Sequence, residues 1–136
     1  MSRLWRWVAV VLWASLIWTF STDTFSKENT SSVFIPLLRR LLPYVNQNTI
    51  EFLHVALRKS AHVFEYFVFG WLLFRAIRGN RPGWTFRWAA STLVVAAIFA
   101  ASDEFHQLFV PSRGASLWDA LLDTVAAAAA IFCVYL

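Results

Sequence analysis

Apolar residues along this chain gather into four runs, 7–20, 61–74, 88–102 and 120–136, each with polar side chains intruding at one end. With its flanks, each run approaches the roughly 20 residues a helix needs to cross the hydrocarbon of a bilayer. The pattern predicts spans over about 4–22, 60–78, 86–106 and 116–136. Run one follows Arg3 and Arg6 in the order of a signal peptide, but Trp5, Trp7, Trp13 and Trp18 are bulky and no small-x-small cleavage pattern follows. It reads as an uncleaved anchor with Trp at both interfaces. Between runs two and three, Arg78, Gly79, Asn80, Arg81, Pro82 and Gly83 form a dense turn signal that permits a short reversal.

The segment 23–58 is too long for a hairpin and too apolar for a solvated linker. Val33 through Pro43, with Arg39 and Arg40 among Leu residues, predicts a short amphipathic element on the outer membrane surface or capping the bundle. Asn48 followed three residues later by Glu51 resembles a capping box. The second helix is therefore expected to begin near Thr49, run to about Arg78 and project beyond the bilayer.

Composition excludes the competing classes. In 136 residues, 59% are hydrophobic, 18% aromatic and only 15% charged, and so short a chain has little interior in which to hide that apolar surface from water. Disorder and disulfide scaffolds are excluded too, the latter by the single Cys133, which reads as a small packing residue. A formal charge of +4 and a pI near 9.8 suit anionic lipid and not nucleic acid. The expected fold class is all-α: a polytopic membrane protein, a bundle of four transmembrane helices with a short amphipathic extracytoplasmic segment, in one domain over 1–136. Of the 12 Lys and Arg, half fall on each side of that topology, but all eight acids fall on one side or toward that end of a span. The side of Arg3, Arg6, Arg75, Arg78, Arg81 and Arg87 is purely basic and is expected to be cytoplasmic, giving N-in and C-in.

Alternating the spans brings the polar intrusions to one end. Asp23 ends run one; Arg58, Lys59, His62 and Glu65 open run two; Asp103, Glu104, His106 and Gln107 end run three; Asp119 and Asp123 open run four. Helical spacing puts Lys59, His62 and Tyr66 on one face, with Glu65 beside His62; Asp103 and Gln107 share a face, as do Asp119 and Asp123. Arg113, in the reversal before run four, is expected over the acidic faces. An ionisable group at the bilayer centre costs about 2.5–3.5 kcal/mol on insertion scales, so such a cluster needs partners, water or a function. Glu65 and Asp123, one to two turns inside their runs, fit least well with a merely interfacial position.

These residues resemble a known family. The stretch from Lys59 through His62 to Tyr66, followed by Asp103, Glu104, Gln107, Phe109, Pro111, Arg113 and Asp119, is similar to the VanZ-like bacterial membrane proteins, over about residues 4–130. The chain departs from the family pattern in carrying Asp123 where Asn is usual, Ala126 and Ala127 where small Gly residues stand, and Arg58 where an acid often precedes the Lys. The resemblance implies four helical spans in the bacterial cytoplasmic membrane and a link to teicoplanin-type glycopeptide resistance. It supplies no settled biochemical activity.

Three readings of the cluster stay open. In the first, Lys59, Arg113 and His62 hold the phosphate of an anionic lipid or lipid-linked cell-wall precursor, while Asp103, Glu104, Gln107 and Asp119 accept from sugar or peptide donors. In the second, His62 or His106 is a base or nucleophile oriented by Glu65 or Asp119, with Lys59 and Arg113 stabilising charge in phosphoryl or acyl chemistry. In the third, the charges only tie helices together. The candidate site comprises Lys59, His62, Glu65, Tyr66, Asp103, Glu104, Gln107, Arg113, Asp119 and Asp123. No cofactor and no metal are expected, because Lys59 and Arg113 would repel a cation and no ligand-spacing motif occurs.

Overall fold

The structure is a computed structural model that describes residues 2–22, 27–110 and 114–135, with the backbone alone at Lys27 and Glu28. Among the described residues the regular structure is entirely helical: α1 (Arg3–Phe20), α2 (Lys27–Leu41), α3 (Gln47–Arg78), α4 (Phe86–Gln107) and α5 (Leu117–Tyr135). Helix α3 packs against each of the other four, and α4 also packs against α5.

Residue pairs fix the directions. Arg6 near the start of α1 donates to Asn80 just beyond α3, and Trp13 Nε1 donates to the Glu65 carbonyl at 2.9 Å, so α1 and α3 are antiparallel. Lys59 meets Asp119 and Gly70 meets Ala127, so α3 and α5 run parallel. Glu104 meets Ser116 at one end of α4 and α5 while Trp84 meets Tyr135 edge to face at the other, making that pair antiparallel.

Local chemistry explains most boundaries. The side chain of Asn46 accepts from the Thr49 backbone N–H at 2.9 Å, and the Thr49 hydroxyl donates to the same oxygen. The cap of α3 is therefore Asn46 and not Asn48; Glu51 instead accepts from Gln47 one turn earlier, a pairing that i,i+4 geometry allows. Helix α2 begins at Lys27, earlier than the amphipathic pattern predicts, continues through Pro36 and stops at Leu41, short of Pro43. Gly79 ends α3 at φ 66°, a left-handed conformation that a side chain would strain, with its N–H donating to the Arg75 carbonyl.

The interior is tight and built of small residues where helices cross. A Cβ on Gly70 would lie 2.8 Å from the Ala127 Cα and carbonyl oxygen, so α3 and α5 touch backbone to backbone. Tyr66, Phe69 and Phe99 fill the adjacent space with edge and tilted ring contacts. The outside is apolar: Leu12 on α1, Phe64 on α3, Ile98 on α4 and Val125 on α5 are all exposed. By length and composition α4 and α5 are each able to cross a membrane. At the Arg-rich end, Arg75 lies over the Trp71 ring and Arg81 over Trp88, cation–π contacts that hold the guanidiniums beside amphipathic rings.

Candidate functional site

The opposite end of the bundle collects the polar side chains. Asp103, near the C-terminus of α4, is fully buried, and its Oδ2 accepts from the Ser21 hydroxyl at 2.7 Å. Gln107, one turn on, reaches back with Nε2 3.4 Å from both Asp103 Oδ2 and Glu104 Oε1. Glu104 Oε2 accepts from the Ser116 backbone N–H at 2.7 Å, one of the donors that the first turn of α5 leaves without an intrahelical partner. The Glu104 carboxylate thus anchors the start of α5 to the end of α4.

On α3, Lys59 forms an ion pair with Asp119 in the first turn of α5. His62 Nδ1 lies 3.7 Å from Glu65 Oε2, beyond hydrogen-bond length. Deeper by one turn on α5 is Asp123, only 1% exposed, whose Oδ1 has no hydrogen-bond partner among the described residues. The Tyr66 hydroxyl is in the same condition, at 0% exposure.

Part of this cluster surrounds a cavity of about 220 Å³. Arg58, Lys59 and His62 form its α3 wall; Glu104 and Gln107 of α4 and Asp119 and Asp123 of α5 face them. The walls are chemically unlike: cations and an imidazole on one side, carboxylates and an amide on the other. Such a pairing suits a ligand that carries both an anionic group and hydrogen-bond donors.

The family model VanZ/LLP1 matches residues 6–136, nearly the whole chain. The chain belongs to the VanZ/LLP1 family. No curated protein and no solved structure matches it.

In this VanZ/LLP1 chain, six of the ten candidate residues named from sequence line the cavity: Lys59, His62, Glu104, Gln107, Asp119 and Asp123. Three stand apart from it. Glu65 faces a neighbouring cavity, Asp103 is turned toward Ser21 and Gln107, and Tyr66 lies among Phe69 and Phe99. Arg113, and with it Asp23, lies outside the described residues. His106 stacks its ring on Trp18 at 4.4 Å between centroids and lines neither cavity.

Four polar residues escaped the sequence-based set. Arg58 lines both cavities; Ser21 holds Asp103; His54 is 1% exposed, and its Nε2 lies 3.3 Å from Thr30 Oγ1 of α2. His54, Arg58 and His62 recur every fourth residue, a one-face helical stripe that the sequence carries in plain view. Ser21 and Thr30 have no such signal, because their partners are far away in the chain.

Proposed function

We propose that this VanZ/LLP1 protein spans the bacterial cytoplasmic membrane four times, N-in and C-in, and binds the headgroup of an anionic lipid or lipid-linked envelope precursor at its outer end. The span count is supported by packing. Helices α4 and α5 are each long and apolar enough to cross. Helix α1 lies against α3 from the Arg6–Asn80 contact to Trp13, and its end reaches Asp103 through Ser21. At 1.5 Å per residue, α1 extends about 27 Å and α3 about 48 Å, so both share the depth of α4 and α5, and α3 has turns to spare beyond it.

The observation that carries the binding reading is the mixed-charge cavity of about 220 Å³ at one end of a bundle whose outer faces are apolar. In lipid, polar side chains are retained inside a bundle where they meet partners or a polar ligand. Phosphate sits at the Arg58 and Lys59 wall, and hydroxyl or amine donors of the headgroup at the Glu104, Gln107 and Asp123 wall. Asp119 serves to hold Lys59. An acid–base mechanism draws less support, because the His62 and Glu65 groups are 3.7 Å apart and Asp119 is committed to Lys59. Altered presentation of envelope material at the outer surface is the route by which such binding would give the teicoplanin resistance that the family's name suggests.

The test is lipid extraction and mass spectrometry on protein purified from cells expressing wild type, Lys59→Ala, His62→Ala or Arg113→Ala at matched membrane abundance. Wild type is expected to retain an unmodified anionic lipid or precursor that the Lys59 and Arg113 variants lose. A chemically altered lipid that appears only with wild type would replace binding with catalysis. Equal lipid content in all four would remove both.

A further inference from the structure

A second cavity, of about 310 Å³, lies beside the first along α3, between that helix, α2 and the end of α1. Most of its exposed wall is apolar, with Phe20, Phe34, Leu57 and Ala61 supplying hydrocarbon and Thr30, His54 and Glu65 also lining it. Phe34 of α2 stacks on His54, and the Arg58 guanidinium donates to the Thr30 hydroxyl at 3.3 Å, so α2 forms the outer wall. Arg58 and His62 line this cavity and the polar one alike. A polar pocket and an apolar one thus adjoin across a ridge of one cation and one imidazole on a single helix face.

That juxtaposition has the form of an amphiphile. From it, and resting on the headgroup reading above, we infer that the ligand is a phospholipid with a single acyl chain. The phosphate lies at Arg58, the rest of the headgroup fills the polar cavity, and the chain enters the apolar one under α2. A guanidinium is suited to the ridge because its planar fork holds phosphate oxygens while its stem packs against hydrocarbon. One chain is assigned to the apolar cavity of about 310 Å³. Helix α2 is then the wall of a chain site as well as a surface element, and its exposed Val33, Leu37 and Leu41 lie toward the bilayer from which the ligand enters.

The experiment uses the full chain in nanodiscs of neutral phosphatidylcholine, exposed to an equimolar mixture of lysophosphatidylglycerol, two-chain phosphatidylglycerol and undecaprenyl phosphate. Bound lipid is counted by native mass spectrometry. Wild type should retain chiefly lysophosphatidylglycerol. Ala61→Phe fills the apolar cavity from an exposed position on α3 and should reduce that retention at least tenfold. Arg58→Gln should do the same, while Ala129→Phe, exposed on α5 and lining neither cavity, should leave it unchanged. Loss in Arg58→Gln with full retention in Ala61→Phe would overturn the chain site and keep the headgroup site. Retention in both would overturn the headgroup site as well, as would wild type that holds none of the three lipids. Preference for the two-chain or prenyl lipid would overturn the single-chain assignment.

Discussion

At the level of single residues, the cluster separates into contacts that hold the bundle and contacts that face the cavity. Ser21 Oγ to Asp103 Oδ2, at 2.7 Å with both residues fully buried, belongs to the first kind. Ser21→Ala leaves the carboxylate short of a donor, which costs about 1–3 kcal/mol when the group stays buried. A lowered melting temperature in detergent is the expected readout. Thr19→Ala, which removes an exposed hydroxyl bonded back to the Ser15 carbonyl, should change stability by less than about 0.5 kcal/mol. The Lys59–Asp119 pair behaves differently, because its side chains are 52% and 38% exposed and such pairs contribute about 0–1 kcal/mol. A double-mutant cycle of Lys59→Ala and Asp119→Asn should therefore show weak coupling in stability. Lipid retention should nevertheless fall with Lys59→Ala alone. Much of this was legible in the sequence, since Lys59, His62 and Asp119 announce themselves as polar groups at the ends of apolar runs. Ser21 did not, because a serine at the end of a run means nothing until its partner 82 residues away is beside it.

At the level of helices, the governing contact is the crossing of α3 and α5. A Cβ at Gly70 would fall within 3.0 Å of the Ala127 Cα, carbonyl oxygen and Cβ, two of which belong to backbone and cannot rotate away. Gly70→Ala must separate the helices, and overpacking of this kind costs about 1–3 kcal/mol. Reduced membrane abundance and a lower melting temperature would be seen, and the Lys59–Asp119 contact one end away would loosen with them. Gly114→Ala is the control, since a Cβ there meets nothing within 4 Å. It should leave stability within about 0.5 kcal/mol of wild type. Helix limits were readable from sequence to within a few residues except at the start of α2, which lies at Lys27 and not at Val33, and the cap of α3 is an instructive miss. Asn48 and Glu51 have the spacing of a capping box, yet Asn46 has a partner of its own in Thr49 and takes the cap, leaving Glu51 to Gln47. Two asparagines two residues apart offer competing caps, and local spacing alone does not choose between them. The crossing itself was invisible, because a glycine in a helical run does not say which neighbour comes close.

At the level of the whole molecule, apolar surface faces outward while Glu65, Asp103, Glu104 and Asp123 are buried, a distribution unlike that of a water-soluble bundle. Composition already pointed that way, but hydropathy alone marks only α4 and α5 as able to cross, since Arg6 dilutes α1 and the site residues dilute α3. The proposed crossing of the other two rests on packing. The two-span and four-span alternatives differ at an accessible place. If only α4 and α5 crossed, the α2–α3 connection near Val45 and the turn at Pro82 would lie on the same side of the membrane. With α3 crossing as well, they lie on opposite sides. Alkaline phosphatase inserted after Val45 should be active and green fluorescent protein there dark, while insertions after Pro82 should give the reverse, in keeping with Arg75, Arg78, Arg81 and Arg87 facing the cytoplasm. A C-terminal green fluorescent protein fusion should fluoresce if the proposed N-in, C-in arrangement holds. Like signals from positions 45 and 82 would remove α3 from the membrane and, with it, the outer placement of the cavity that Arg58, Lys59 and His62 line.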